Sequence, residues 1–160
     1  MSVLLPAGLP AGFTIEQATS AHVAEVFSLC AAEETAAFGF CPSTAEDVRS
    51  WLEQPATTMN LQHMVRDADG TPVQWWVMFR DAGDPITHGW ICNHPDLPDA
   101  VSDELARAGW ALMLNWVREH PIGAAAGETL VHSGCPAGPR PGHAGWTRAM
   151  RSLRSAAEVR

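Results

Sequence analysis

The chain has 160 residues, of which 46% are hydrophobic and 18% are charged. This length and composition fit one globular domain and exclude a disordered tail, a collagen-like fibre and a coiled coil. The first 139 residues carry a net charge of −12 and the last 21 carry +4, for a total of −8. Because an acidic body repels phosphate backbones, a general nucleic-acid binder is disfavoured.

The sequence also predicts where the protein resides. No apolar run approaches the roughly 20 residues that span a bilayer, and residues 1–12 contain no basic residue to open a secretory signal. We therefore predict no membrane partner, a cytoplasmic location, and a loose leader at 1–12 followed by a single domain at 13–160. The four cysteines form no CxxC pair and are predicted to be reduced thiols.

The first third of the chain predicts one strand and two helices. Residues 13–18 alternate as a short strand, after which Thr19 or Ser20 can cap a helix. The apolar stripe of this helix consists of Val23, Val26, Phe27, Cys30 and Ala31. The segment Ser43-Thr44-Ala45-Glu46 has capping-box spacing and begins a second helix that ends near Glu53.

The middle of the chain predicts a meander of three strands. Residues 60–66 and 72–80 flank the turn Asp67-Ala68-Asp69-Gly70, a pattern typical of an antiparallel hairpin. Residues 87–93 form a third strand, which His94-Pro95 ends.

Two adjacent tryptophans mark the second strand of this hairpin. Trp75 and Trp76 must point to opposite faces of the sheet, because successive side chains alternate along a strand. One of them is therefore expected to line a surface, as part of an apolar acceptor site or a partner interface.

The last third predicts a long helix and a short strand. Ser102 can cap a helix that runs to about His120, and residues 129–133 form a strand. Residues 146–159 fit either a strand or a helix, and their arginines at every third position indicate a solvated terminus rather than a site for an acidic partner. The predicted order is β-α-α-β-β-β-α-β, in which the final strand–helix–strand step suits a parallel crossover.

Five segments of the sequence, in this order, resemble the GNAT acyltransferase superfamily. They are FTIEQATSAHVAEVFSLCAAEE, DADGTPVQWWVMF, GWICNHPD, ALMLNWVREH and AGWTRAM. The resemblance spans most of the chain, from Phe13 to Met150. It implies an α/β fold with a mixed, mostly antiparallel sheet flanked by helices.

The resemblance also implies a site for acetyl-CoA between the fourth and fifth strands. The fourth-strand backbone at Ile91, Cys92 and Asn93 is expected to hold the pantetheine and to polarise the acyl carbonyl. The start of the next helix, at Ser102, is expected to receive the pyrophosphate. The implied reaction is transfer of an acyl group from acyl-CoA to the amine of a small molecule.

Two residues are predicted to move protons in that reaction. His94, acting through water, is the predicted base, because histidine titrates near neutral pH and no carboxylate lies between His88 and Pro95. Many relatives use a tyrosine to protonate the leaving thiolate, but this chain contains no tyrosine. Ser133, Cys135 or a water would have to take that role.

A second hypothesis is a catalytically degenerate GNAT-like module that binds or stabilises a partner acyltransferase domain or a second copy of itself. Its basis is the stretch 95–104, which lacks the glycines and basic residues of the family loop. It carries four carboxylates and two prolines instead, and these repel a pyrophosphate and remove N–H donors. A third alternative, a cone-shaped α+β hydrolase or cyclase, would normally begin with helices.

Three possible metal ligands lie on the predicted fourth strand. His88, Cys92 and His94 share one face of the predicted fourth strand, and His63, His132 or Cys135 would have to complete a tetrahedron. The pattern lacks a second pair of ligands at standard spacing. We therefore predict that the chain holds no metal.

Overall fold

A computed structural model describes residues 8–54, 59–81, 86–120 and 130–133. Within these ranges the chain forms five strands, three α-helices and a 3-10 turn at Ser20–His22. In chain order the helices and strands are β1 (Thr14–Gln17), α1 (Val23–Phe38), α2 (Ala45–Leu52), β2 (Met59–Arg66), β3 (Pro72–Arg80), β4 (Ile86–Asn93), α3 (Asp99–Glu119) and β5 (Leu130–Ser133).

The strands form one sheet in the order β1-β2-β3-β4-β5. The first four strands are antiparallel neighbours, whereas β5 pairs with β4 in parallel. The predicted mixed, mostly antiparallel sheet is therefore confirmed, and so is the parallel crossover, in which α3 connects β4 to β5. The ambiguous segment 146–159 lies outside the described residues.

The hairpin between β2 and β3 forms as predicted because its turn residues suit a tight reversal. The carboxylate of Asp67 accepts hydrogen bonds from the backbone N–H groups of Asp69 and Thr71. Gly70 has φ +81°, a left-handed conformation that costs glycine nothing. The turn thereby fixes the register in which Gln74 of β3 comes to lie opposite Val65 of β2.

Two helix starts differ from the predictions. The capping box of α2 is formed by Thr44 with Asp47, one position later than predicted. The prediction that Ser102 caps α3 is wrong, since the helix begins at Asp99 with Pro98 as the N-cap. The reason is that the carbonyl of Pro98 already accepts the N–H groups of Val101 and Ser102, each at 2.9 Å, which closes the first turn before Ser102.

The core has two layers, one on each face of the sheet. The layer under α3 includes Trp76, Met78, Ile91, Leu105 and Met113. The layer under α1 and α2 includes Val26, Leu29, Val48, Trp75 and Cys92. Each layer is built from alternate residues of β3 and β4, as the pleat of a strand requires.

Trp75 and Trp76 do point to opposite faces, as predicted. Both, however, have 0% of their surface exposed, so the expectation that one lines a surface is wrong. The physical reason is that helices cover both faces of the sheet, with α3 over Trp76 and α1 with α2 over Trp75.

Within the described ranges no helix is long and apolar enough to cross a membrane.

His63 on β2 is a buried histidine whose charge state is coupled to folding. Burial lowers the pKa of its imidazole, and its Nδ1 has no hydrogen-bond partner among the described residues. Above the unfolded-state pKa of about 6.5 the ring is neutral in both states. Below that value the unfolded chain binds a proton that the folded chain excludes, so stability falls as the pH drops towards the lowered folded-state pKa.

We therefore expect the urea concentration at the unfolding midpoint of the wild type to be lower at pH 5.5 than at pH 7.5. In a His63→Gln variant this fall should be smaller, because the buried titrating group is gone. His94→Gln is the matched control, since it removes a more exposed imidazole. Identical pH dependence in the wild type and His63→Gln would show that the burial of His63 does not oppose its protonation.

Candidate functional site

The candidate site lies at the end of β4. The described pairing of β4 with β5 ends at Gly89 and Ser133, whereas the pairing of β4 with β3 continues to Asn93 opposite Gln74. The N–H of His94 donates to the Val73 carbonyl of β3 at 2.8 Å. Because successive N–H groups point to opposite sides of a strand, those of Ile91 and Asn93 face the other edge, towards β5.

A carboxylate of α1 occupies this edge. The N–H of Asn93 donates to Oε1 of Glu33 at 3.1 Å, and the Glu33 side chain is half-buried. One turn earlier on α1, the Sγ of Cys30 lies 3.8 Å from the Sγ of Cys92. Helix α1 therefore runs over the end of β4 and brings an acid to the backbone amide predicted to polarise the acyl carbonyl.

The buried cysteines beside this carboxylate are thiols. Cys30, Cys41 and Cys92 are free cysteines. The hydrogen bond to Cys30, burial and the nearby Glu33 carboxylate raise the pKa of Cys92 well above its usual range. The Cys92 side chain is therefore protonated at neutral pH and packs against α1, so only its backbone is available for the predicted role in binding.

The side chain of Asn93 points to the opposite face and joins a network under α3. Its Oδ1 accepts hydrogen bonds from Nε2 of Gln74 and from Oγ of Ser102, the latter at 2.9 Å. The Nε2 of Gln74 also lies 3.2 Å from the Ser102 carbonyl, and its Oε1 accepts from Nε1 of Trp76 at 2.7 Å. This network fixes the first turns of α3 against the end of β4.

Ser102 therefore contributes to the site differently from the prediction. Its hydroxyl proton is donated to Asn93 and its N–H to Pro98. The backbone amides that precede the first intrahelical hydrogen bonds of α3 are those of Asp99 and Ala100. A pyrophosphate at this helix start would be held by those amides rather than by Ser102.

The start of α3 is strongly acidic. Four carboxylates there are exposed, those of Asp96, Asp99, Asp103 and Glu104. They suit the positive end of the helix dipole, but they compete with a bound phosphate for the same amides. The acidic character predicted from the sequence is thus a feature of the folded surface.

His94 lies in the turn between β4 and α3, with its side chain partly exposed. Its Nδ1 accepts a hydrogen bond from the N–H of Asp96 at 3.3 Å. A neutral ring that accepts at Nδ1 carries its hydrogen on Nε2, and that nitrogen then acts only as a donor. The base role of His94 stays a prediction, and it requires that the hydrogen bond to Asp96 be broken.

The remaining predicted residues fall at the edge of the described structure or away from the site. Ser133 ends β5 opposite Gly89, and its side chain lies outside the description, as does all of Cys135. His88 stacks on Phe79, with 5.2 Å between the ring centroids. Within the described ranges no group of three His, Cys, Asp or Glu side chains is placed to hold a metal ion.

An aromatic cluster lies on the α1 face along β3 and β4. It consists of Trp51, Trp75, Phe79 and Trp90. Trp90 stands edge-on to Trp75 and Phe79, at 5.7 Å and 5.8 Å between ring centroids. Trp75 is buried, whereas Trp51, Phe79 and Trp90 are partly exposed. Trp90 shares one face of β4 with Cys92, so these rings lie on the face that α1 covers.

Glu33 and Gln74 are the residues that sequence reasoning missed. A signal for Glu33 existed, because the apolar stripe of α1 continues through Cys30 to Glu33 and Glu34 one turn later. Glu34 is buried there and accepts hydrogen bonds from the N–H and hydroxyl of Ser43. Acids at stripe positions predict carboxylates with partners inside the fold.

Comparison with known proteins bears on this geometry. No family model matches the sequence, and no curated protein matches it. A tandem GNAT protein from the clavulanic acid biosynthesis pathway superposes with a TM-score of 0.62 at 20% identity, over 87% of this chain and 43% of that protein. A GCN5-related N-acetyltransferase from Sphaerobacter thermophilus gives 0.63 at 19% identity, over 92% and 44%.

This chain has the GNAT fold. The resemblance predicted from the sequence is thereby confirmed at the level of the fold. A third GNAT structure, the aminoglycoside acetyltransferase AAC(6')-Ib in complex with coenzyme A, superposes with a TM-score of 0.54 at 15% identity, over 87% of this chain and 81% of that one. The chain spans less than half the length of the first two GNAT structures.

Proposed function

We propose that this chain is an N-acyltransferase that moves an acyl group from acyl-CoA to the amine of a small molecule. The observation that carries the proposal is the end of β4, where the N–H of Asn93 points away from β3 and meets the Glu33 carboxylate of α1 rather than a strand. The GNAT neighbours support it, since they include acetyltransferases and one of them was solved with coenzyme A.

The residues present fit the pantetheine arm of acetyl-CoA better than they fit its pyrophosphate. The backbone of Ile91, Cys92 and Asn93 offers an edge to which the pantetheine amides can pair. The amides of Asp99 and Ala100 at the start of α3 would receive the pyrophosphate, opposed by the four carboxylates around them. Bound acetyl-CoA supplies a thioester whose carbonyl carbon the amine attacks.

The aromatic cluster supports a proposal for the acceptor. Its partly exposed rings, Trp51, Phe79 and Trp90, lie on the α1 face along β4, with Phe79 opposite His88 and Trp90 nearest the end of the strand. They would form an apolar wall for the body of an amine whose nitrogen reaches the end of β4. His94 and Ser133 remain proposed proton carriers, and a cytoplasmic location accords with the free thiols.

A second candidate function is favoured by one specific observation. The N–H of Asn93, which an acyl carbonyl needs, is already bound by Glu33. A permanent hydrogen bond there, together with the acidic start of α3, would make the chain a non-catalytic GNAT-like module. Its partner would be a second copy or another acyltransferase domain, an arrangement of the kind that the tandem GNAT neighbour illustrates.

The test of the first candidate is an acyl-transfer assay. The purified protein is incubated with acetyl-CoA and a panel of primary amines that includes 2-phenylethylamine, and free CoA thiol is followed by a disulfide reagent. Thiol release that depends on both the amine and the protein is expected. Release at the buffer rate with every amine would favour the non-catalytic module.

A further inference from the structure

We propose that the acceptor amine carries a hydroxyl group on its apolar body, and that Gln62 and Trp75 recognise this hydroxyl. The inference rests on the proposed function and names the class of its substrate. It starts from two buried polar atoms, Oε1 of Gln62 and Nε1 of Trp75, neither of which has a hydrogen-bond partner among the described residues. Gln62 is 4% exposed and Trp75 is 0% exposed, so bulk solvent does not supply a partner.

The two side chains lie on the same face of the sheet. Gln62 of β2 pairs with Val77 of β3, and Trp75 is two residues from Val77, so all three point to the face that α1 and α2 cover. Diagonal neighbours of this kind are about 7–8 Å apart, within reach of long side chains. Trp51 of α2 contacts both. Its ring stacks on Trp75 at 6.2 Å between centroids, and its carbonyl accepts from Nε2 of Gln62 at 2.6 Å.

The bond to Trp51 determines which polar atom of Gln62 is left over. A backbone carbonyl only accepts, so the amide nitrogen of Gln62 faces Trp51 and Oε1 remains as an acceptor. The indole nitrogen of Trp75 is only a donor. Leaving a buried donor and a buried acceptor unpaired opposes folding. One group that both donates and accepts can satisfy the two atoms, and a hydroxyl is the smallest organic group that does so.

The position of this pair suits an acceptor whose nitrogen reaches the end of β4. Trp75 lies directly opposite Cys92 of β4, one residue before Asn93. Because neighbouring strands are about 4.8 Å apart, a hydroxyl between β2 and β3 lies roughly 7–10 Å from the outer edge of β4. An aromatic ring with a two-carbon amine arm spans such a distance. The partly exposed rings of Trp51 and Trp90 would flank the body of this amine.

Trp51 would also control access to the pair. Its ring packs on Trp75 and stands edge-on to Trp90, at 6.3 Å between centroids. Its side chain is nevertheless partly exposed, on the last turn of the short helix α2. Rotation of this one side chain would open the pair to a ligand without movement of the sheet.

The experiment compares tyramine with 2-phenylethylamine, which differ only by the phenolic hydroxyl. Acyl transfer from acetyl-CoA is followed by thiol release in the wild type, Gln62→Met and Trp75→Phe. We expect the kcat/KM of the wild type to be about 10–100-fold higher for tyramine. In each variant this ratio should fall about 5–10-fold, because one of the two hydrogen bonds is lost. Both amines are tested on the same protein, so a general loss of folded protein cancels in the ratio.

Trp90→Phe is the matched control, since it removes the same indole N–H from the neighbouring ring. Its ratio should equal that of the wild type. A second measurement observes the donor itself. In protein with ¹⁵N-labelled tryptophan, the Nε1–H resonance that is missing from Trp75→Phe belongs to Trp75. Saturating tyramine should move this proton resonance downfield, whereas 2-phenylethylamine should move it less.

The outcomes separate the inference from the function on which it rests. A wild-type kcat/KM for tyramine no higher than that for 2-phenylethylamine overturns hydroxyl recognition and leaves acyl transfer standing, and an ordered water would then satisfy the pair. Equal loss of the ratio in Trp90→Phe and Trp75→Phe overturns the role of Trp75. A Trp75 resonance that moves with tyramine, without thiol release from any amine, supports the hydroxyl site and overturns the proposed function. If neither occurs, both fail.

Discussion

Replacing Gly109 with valine is expected to lower the free energy of unfolding by about 2–3 kcal/mol. Gly109 is buried in the middle of α3, where the helix crosses the sheet. A Cβ at this position would lie 2.8 Å and 2.9 Å from ring atoms of Trp76 and 3.0 Å from Cδ1 of Ile91. Neither neighbour can give way easily, because both are packed in the core under α3.

The matched control for Gly109→Val is Ala111→Val, two residues along the same helix. Ala111 is exposed, so its replacement costs only the lower helix propensity of valine, about 0.6 kcal/mol. Urea unfolding of both variants measures the difference. Equal small losses at the two positions would contradict the close approach of α3 to Trp76.

Gly109 also affects the position of α3 relative to the candidate site. Two turns earlier on α3, Ser102 donates its hydroxyl hydrogen bond to Asn93. If α3 is pushed away from Trp76, this bond and the contacts through Gln74 lengthen. The absence of a side chain at Gly109 therefore helps to hold the start of α3 against the end of β4.

Neutralising two carboxylates at the start of α3 is expected to tighten the binding of acetyl-CoA about tenfold at low salt. The variant is Asp99→Asn with Asp103→Asn, which removes two exposed negative charges beside the helix amides that would receive the pyrophosphate. The gain should shrink as salt is raised, since mobile ions screen exposed charges. Stability should fall slightly, because acids favour a helix N-terminus by about 0.3–1 kcal/mol each.

A control with the same change of net charge is Glu46→Gln with Asp69→Asn. Both of these residues are exposed, on α2 and in the β2–β3 turn. Calorimetric titrations of the two double variants at low and high salt compare local with overall charge. Equal affinities in both variants would show that the carboxylates of α3 do not lie beside the bound phosphates.

Much of the fold follows from local signals in the sequence. The alternation through Trp75 and Trp76 and the turn at residues 67–70 predict the hairpin, because strand period and turn chemistry act over a few residues. The predicted start of α3 at Ser102 was wrong. Pro98 caps the helix through its backbone carbonyl, an acceptor that every residue has. Residue type therefore carries little information about that boundary.

The candidate site was less predictable than the fold. The backbone edge of β4 could be placed from its resemblance to the family. Glu33 could be recognised as an acid on the buried stripe of α1, but its contact with β4 could not, because the partner is a main-chain amide 60 residues away. The expected exposure of Trp75 or Trp76 failed for a related reason. A strand pattern shows that two faces exist, and only the packing of α1, α2 and α3 shows that both are covered.

The most direct test of the central claim, that the end of β4 binds acyl-CoA, is a calorimetric titration of the wild-type protein with acetyl-CoA and with free CoA. Saturable binding in the micromolar range, about −8 kcal/mol, is expected, together with thermal stabilisation by the ligand. No heat and no stabilisation at millimolar acetyl-CoA would contradict the claim and would identify the chain as a GNAT-like module without a donor site.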